Sequence, residues 1–215
     1  MVTLQLKQIT VPPGGRIVLH NVSWQQFEEI LEELGEHRSS RIAYSRGTLE
    51  IMTPLPEHEV AKVLIGDLVK ILLEELEIDC ESFGSTTFKR RDSERGIEPD
   101  DSFYIQNHKQ MIGKDRIDLT IDPPPDLAIE IDLTTKTQLD GYEALGVPEL
   151  WRFENRKLRI DILRNGKYVQ SSDSPTFPDW SIVEIVTEYV ELARSIGRSP
   201  ALRAFRQWVR QQIEQ

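Results

Sequence analysis

The sequence is poor in cysteine, in long apolar runs and in positive charge. Its 215 residues include one cysteine, Cys80, which cannot form an internal disulfide and is too few for a thiolate zinc site. Its apolar runs fall short of the roughly 18 residues that a membrane span requires. The 26 lysines and arginines are outnumbered by 36 aspartates and glutamates, which gives a net charge of −10. These absences favour a soluble protein of a reducing, cytoplasmic compartment. They disfavour binding of polyanions through net charge alone.

The composition is that of a folded protein, with 39% hydrophobic and 29% charged residues. The N-terminal segment has no basic region followed by an apolar core, so we expect no secretion signal and no association with a membrane. The length favours a single domain over residues 1–215. We expect an N-terminal helix and hairpin in about residues 1–55 and C-terminal helices in about residues 181–215.

Local patterns predict the elements of the first half of the chain. Ser23 and Gln26 have the spacing of a capping box, which predicts a helix from there to Gly35. Two β-favouring runs around residues 45–47 predict a hairpin. Apolar residues at helical spacing predict a long helix over about residues 57–77, whereas residues 89–96 are charged and are predicted to form a loop.

Strands and helices are predicted to alternate in the second half. Residues 80–88, 97–105, 127–133, 150–153, 158–163 and 168–170 are strand candidates, and residues 138–145, 182–193 and 200–213 are helix candidates. Within residues 127–133 the alternation places Glu130 and Asp132 on one face of a strand. Asp100 lies in the preceding predicted strand, so the three carboxylates converge if the two strands are neighbours.

Converging carboxylates repel one another unless a cation or a proton neutralises them. Mg²⁺ prefers oxygen ligands and retains water, and it is therefore the natural partner of such a cluster. Asp100, Glu130 and Asp132 are the candidate metal ligands, with Mn²⁺ as the alternative ion. The other reading of these acids is that they are solvated strand residues.

Four ordered segments resemble the Uma-two family of restriction-endonuclease-like proteins. They are PLPEHE at 54–59, EPD at 98–100, PDLAIEID at 125–132 and YEALGVPELW at 142–151, and together they span about half of the chain. The family is similar to the PD-(D/E)xK nucleases. The resemblance implies an α/β (α+β) fold with a restriction-endonuclease-like core, in which a mixed sheet is flanked by helices. It also implies a Mg²⁺-dependent phosphodiesterase.

Roles follow from the resemblance at matching positions. Asp100 and Glu130 would be catalytic metal ligands, and Glu59 would be an accessory catalytic acid. The lysine that this superfamily carries two residues after the second acid is replaced here by Asp132, and Lys136 is the candidate that would supply the missing cation. His58 and Gln138 are further candidates near the site.

These assignments predict an endonuclease that hydrolyses phosphodiester bonds of nucleic acid, with DNA as the expected substrate. Asp132 at the lysine position favours a second reading, in which the fold has lost efficient chemistry and serves as a binding or interaction module. Basic residues on the terminal helix, Arg203, Arg206 and Arg210, and in the loop at residues 89–95 are candidate phosphate contacts. The alternative for the terminal helix is a solvated face or the edge of a homodimer.

Overall fold

Two β-sheets, one of five strands and one of six, and the helices that flank them form this mixed α/β fold, as the sequence predicted. The computed structural model describes residues 8–35, 38–133 and 137–214. Within these ranges every helix is too short or too polar to span a bilayer.

The elements of the first half are β1 (Arg16–His20), α1 (Trp24–Leu34), β2 (Arg41–Ser45), β3 (Thr48–Met52), α2 (Pro56–Glu75), β4 (Glu81–Ser82), β5 (Phe88–Arg90), β6 (Arg95–Ile97) and β7 (Asp101–Tyr104). Those of the second half are α3 (His108–Met111), β8 (Leu127–Asp132), α4 (Leu139–Leu145), β9 (Glu149–Glu154), β10 (Lys157–Arg164), β11 (Lys167–Ser171), α5 (Ile182–Ile196) and α6 (Arg198–Ile213).

The five-stranded sheet has the order β1-β3-β2-β6-β5, and all of its pairs are antiparallel. Helix α1 packs on it through Trp24 and Phe27, and the predicted capping box between Ser23 and Gln26 is present. The predicted β2–β3 hairpin is confirmed. Its two turn residues, Arg46 and Gly47, have φ of 42° and 85°, as a tight turn that matches the twist of its strands requires.

The charged segment 89–96 is not the loop that the sequence predicted. Strands β5 and β6 form a hairpin there, and β6 joins the five-stranded sheet at Tyr44 and Ser45 of β2. The predicted strands over residues 80–88 and 97–105 are correspondingly shorter. The charge pattern was misleading because three of these side chains find partners: Lys89 pairs with Glu28, Arg90 donates to a backbone carbonyl, and Arg95 pairs with Asp140.

The six-stranded sheet has the order β11-β10-β9-β8-β7-β4 and is mixed, because β8 and β9 run parallel while the other pairs are antiparallel. Helices α2 and α5 pack on this sheet, α6 packs on both of these helices, and together they bury the larger apolar core. Helix α4 connects β8 to β9 and contacts β2, β5 and β6 of the other sheet. Gly141 permits this approach, since a Cβ there would lie 2.8 Å from Ile97 Cγ2.

The basic face predicted on the terminal helix is partly neutralised. Arg206 pairs with Glu74 and Glu75 of α2, and Arg210 pairs with Glu75. The two arginines lower the pKa of Glu75 to about 2. These guanidinium groups therefore hold α6 against α2, and they are a poorer nucleic-acid surface than the sequence indicated.

Candidate active site

A cleft opens where the two sheets meet, and most of the predicted site residues line it. Those that do so are His58, Asp100, Glu130, Asp132 and Gln138. One wall comes from strands β1 to β3 of the five-stranded sheet, and the other comes from β8, α2 and the segment that connects β6 to β7. Lys136 lies outside the residues that the structure describes, so its role stays a prediction.

Asp100 is held in a fixed orientation by the backbone of β8. Its side chain is 2% exposed. Asp100 follows Pro99 in the short segment between β6 and β7. The Asp100 amide donates to the carbonyl of Ile129 at 2.9 Å, and the Ile131 amide donates to Asp100 Oδ2 at 2.8 Å. His58 Nε2 lies 3.1 Å from the same oxygen. These hydrogen bonds therefore fix Asp100 against β8, and its carboxylate faces the cleft.

Glu130 meets Asp100 inside the cleft. The two carboxyl groups are within hydrogen-bonding range of each other, and the Tyr142 hydroxyl of α4 donates to Glu130 Oε1. Burial raises the pKa of Glu130 well above its ordinary value, and the negative charge of Asp100 raises it further. Burial and the Glu130 charge also raise the pKa of Tyr142. The structure thus brings together two of the three predicted carboxylates, and it does so at an electrostatic cost.

Glu130→Gln is expected to stabilise the metal-free protein at neutral pH. Because the folded protein holds the Glu130 proton more tightly than the unfolded chain, stability falls as pH rises between the two pKa values, by up to about 1.4 kcal/mol per pH unit. Glutamine does not titrate and can still accept from Tyr142. In urea denaturation with chelator, the gap between variant and wild type should be small near a pH of about 4 and widen toward neutrality. A gap independent of pH would contradict this.

Asp132 lines the cleft but is turned toward the start of α4. Its Oδ1 accepts hydrogen bonds from the Thr137 amide at 2.9 Å and the Thr137 hydroxyl at 2.7 Å. Its Oδ2 lies 3.6 Å from Arg152 Nη1 and accepts no hydrogen bond from the described residues. Burial raises the pKa of Asp132. This carboxylate therefore anchors Thr137, just before α4, and metal ligation by Asp132 stays a prediction.

The remaining candidates lie at the edge of the cleft or support it. Glu59 is 41% exposed on α2, where Lys62 lies 2.9 Å from it. His58, by contrast, is buried at 4% exposure and contacts Asp100. Gln138 donates to Glu50 of β3 and so connects α4 to the five-stranded sheet. His58 is thus a close neighbour of the central carboxylates, whereas Glu59 and Gln138 are peripheral to them.

The carboxylate pair fits a hard divalent cation. Asp100 and Glu130 offer oxygen atoms, and Mg²⁺ is usually bound through one or two carboxylates with the remaining positions taken by water and substrate phosphate. A cation there would also offset the repulsion that raises the pKa of Glu130. Among the described residues no group of three or more His, Cys, Asp or Glu side chains is arranged to hold a metal ion. Asp100 and Glu130 are therefore the pair that the structure brings together, and a third carboxylate ligand stays a prediction.

The sequence did not assign to the site two residues that approach the carboxylate pair, Tyr142 and Arg41. Tyr142 has the spacing of an apolar helix face and is buried, yet its hydroxyl reaches Glu130. Arg41, the first residue of β2, approaches Asp100 from the opposite sheet. No local signal marks either residue, because both contacts join segments that are distant in sequence.

Comparison with known proteins gives a family and similar solved structures. Residues 24–195 match the profile of the Uma2 family, which is described as "Putative restriction endonuclease". A crystal structure described as a "putative nuclease belonging to DUF820", from Anabaena variabilis ATCC 29413, is similar over 64% of this chain and 83% of its own, with 15% identity and a TM-score of 0.44. No curated protein matches the sequence.

Proposed function

Because this chain belongs to the Uma2 family, we propose that it is a metal-dependent nuclease that hydrolyses phosphodiester bonds, with DNA as its substrate. The family description supports a nuclease. The metal ion and the choice of DNA are inferences from the carboxylate chemistry and from the words "restriction endonuclease". We propose Mg²⁺ as the metal ion of the nuclease, with Mn²⁺ as the alternative.

One observation carries the proposal: two carboxyl groups from different segments meet in a cleft although their proximity is unfavourable. Asp100 is nearly inaccessible to solvent, and Glu130 has its pKa raised by burial and by Asp100. Structural ion pairs usually join opposite charges, whereas like-charged pairs with perturbed pKa values are typical of functional sites.

Each side chain has a role in this proposal. Asp100 and Glu130 would hold the metal ion, which, when bound, lowers the pKa of water and polarises the phosphate. His58 orients Asp100 through the 3.1 Å contact described above, and Tyr142 orients Glu130 through its hydrogen bond. Such supporting contacts keep ligands in place and are typical of metal sites. Glu59 and Lys136 remain proposed accessory groups at the rim.

Cleavage of labelled DNA is expected to require Mg²⁺ or Mn²⁺ and to stop when excess chelator is added. The protein itself should stay folded in chelator, because its cores are built from buried apolar side chains and need no metal ion. Gel analysis of DNA products, with circular dichroism of the same samples, checks both statements. Restored cleavage after metal is added back excludes irreversible damage. Undiminished cleavage in chelator would contradict the proposal.

A second candidate is a protein of the same fold that binds nucleic acid without cutting it. The observation in its favour is Asp132, a carboxylate at the position where the resemblance implies lysine, tied to Thr137 and near Arg152. This candidate predicts retained DNA binding with no cleavage in either Mg²⁺ or Mn²⁺. The same assay, run alongside a binding measurement, separates the two.

A further inference from the structure

We propose that Arg41 is the phosphate-binding cation of the cleft and that the five-stranded sheet supplies it. The inference rests on the proposed function, because it assigns a substrate contact within that site. Arg41 begins β2, outside the sheet that carries Glu130, and its side chain is 16% exposed. The five-stranded sheet would therefore supply a cation to a site whose Glu130 comes from the six-stranded sheet.

The position of the guanidinium group is the first argument. Arg41 Nε lies 3.7 Å from Asp100 Oδ1, and Nη2 lies 3.5 Å from Glu59 Oε1. A phosphate whose ester bond is under attack next to Asp100 and Glu130 would lie within reach of this group. Arginine presents several N–H donors in a planar fork that matches phosphate oxygens.

The incomplete pairing of Arg41 is the second argument. Both of its carboxylate contacts are longer than a normal N–H···O hydrogen bond of about 2.9 Å. Its Nε is buried and donates no hydrogen bond to any described residue. Leaving such a donor unpaired costs about 1–3 kcal/mol, and an anionic ligand in the cleft would remove that cost.

The attachment of β2 is the third argument. The amide of Ile42, next to Arg41, donates to Glu98 Oε2 at 2.9 Å, and Glu98 also accepts from Thr87 at 2.5 Å and from Arg38. Glu98 stands two residues before Asp100 in the same segment. The strand that carries Arg41 is thus fixed to the segment that carries Asp100, and the guanidinium group is positioned before any substrate binds.

Arg16 is the other cationic side chain of the described residues that lines the cleft, and it is a weaker candidate. It is 41% exposed and lies 3.3 Å from Glu50, so it is closer to solvent and has a hydrogen-bonded partner. Arg41 combines burial, proximity to Asp100 and an unused donor.

The reaction gives Arg41 a defined electrostatic role. The oxygen of a water molecule bonds to phosphorus and the ester P–O bond breaks. One proton of that water ends on the leaving oxygen and the other stays on the new phosphomonoester. Arginine keeps its own proton at all relevant pH values, so Arg41 neutralises charge on the non-bridging oxygens without transferring a proton.

Binding of a fluorescein-labelled DNA oligonucleotide, measured by anisotropy in chelator over a range of salt concentrations, tests the contact without catalysis. Arg41→Ala should weaken binding about tenfold or more and lower the salt slope by about one, because one phosphate contact is lost. Arg41→Lys should keep the slope. Arg164→Ala is the matched control, since Arg164 is exposed at the far end of β10 and should bind as wild type does.

Cleavage rates give the second measurement. Arg41→Ala should lower kcat about 100-fold, and added guanidinium ion should restore part of the lost rate. A merely structural role predicts a lower melting temperature with no change in salt slope and no rescue. That result would overturn the inference, and so would an Arg41→Ala variant that binds and cleaves DNA as well as wild type does. In either case the proposed function still stands if cleavage depends on Asp100. If wild type binds DNA but does not cleave it, the proposed function fails. The salt slope of Arg41→Ala then tests by itself whether Arg41 contacts a phosphate. If wild type neither binds DNA in chelator nor cleaves it with metal, both proposals are overturned.

Discussion

Asp100→Asn and Glu130→Gln are each expected to abolish nuclease activity, with cleavage rates lower by at least about 100-fold. Both substitutions keep the size and most hydrogen bonds of the side chain, and both remove a charge that a divalent cation needs. Asparagine at 100 can still accept from the Ile131 amide, which is 2.8 Å from Asp100 Oδ2. The loss should therefore be one of chemistry, with the fold intact.

Asp101→Asn is the matched control for this experiment. Asp101 is the adjacent residue and is also a buried carboxylate whose pKa is raised by burial. Its side chain, however, lies against α2, close to Gly66, and not in the cleft. Rates measured under single-turnover conditions should be near wild type for Asp101→Asn. Equal losses at positions 100 and 101, or full activity of both cleft variants, would exclude the proposed carboxylate pair.

Glu98→Ala is expected to destabilise the protein by about 3–5 kcal/mol, the range for breaking a buried ion pair from one side. Glu98 is 3% exposed and joins Arg38, Thr87 and the Ile42 amide. Alanine would leave the Arg38 charge and the Ile42 N–H group without their acceptor. Since small folded proteins are stable by only about 5–15 kcal/mol, the loss should be obvious in urea denaturation.

An exposed pair of the same type supplies the comparison. Glu28 lies 3.0 Å from Lys89, and its side chain is 42% exposed. Glu28→Ala should cost less than about 1 kcal/mol, because water already screens that pair. Glu98→Gln should fall between the two alanine variants, since the amide oxygen still accepts one hydrogen bond. Similar losses for both alanine variants would show that burial does not determine the effect.

Much of the fold could be predicted because its signals are local. The capping box at Ser23, the turn at Gly47 and the αL helix end at Gly146 each follow from neighbouring residues. The alternation of β8 likewise predicted that Glu130 and Asp132 share a face. The β5–β6 hairpin was missed because its charged side chains are satisfied by residues that are remote in sequence, such as Glu28 and Asp140.

In the candidate site, too, the features with a local sequence signal were predicted and those that depend on distant residues were not. Asp100 and Glu130 were found by their motifs, and the structure brings them together. The strand predicted over residues 97–105 is interrupted at residues 98–100, where Glu98 accepts from the Ile42 amide. Arg41 and Tyr142 could not be found because their approach depends on how two sheets and a helix pack.

The tight turn at Arg46 and Gly47 has a chemical consequence far from its own position. Side chains of a strand alternate between its two faces. The face on which Arg41 lies therefore depends on whether the number of residues between Arg41 and the turn is even or odd. Inserting one residue there would shift the pairing of β2 with β3 and turn the guanidinium away from Asp100. The cleft would then lose the guanidinium group that approaches Asp100, although the sequence of β2 would be unchanged. The parity of this surface hairpin therefore decides whether the Arg41 side chain faces the carboxylates or the other side of its sheet.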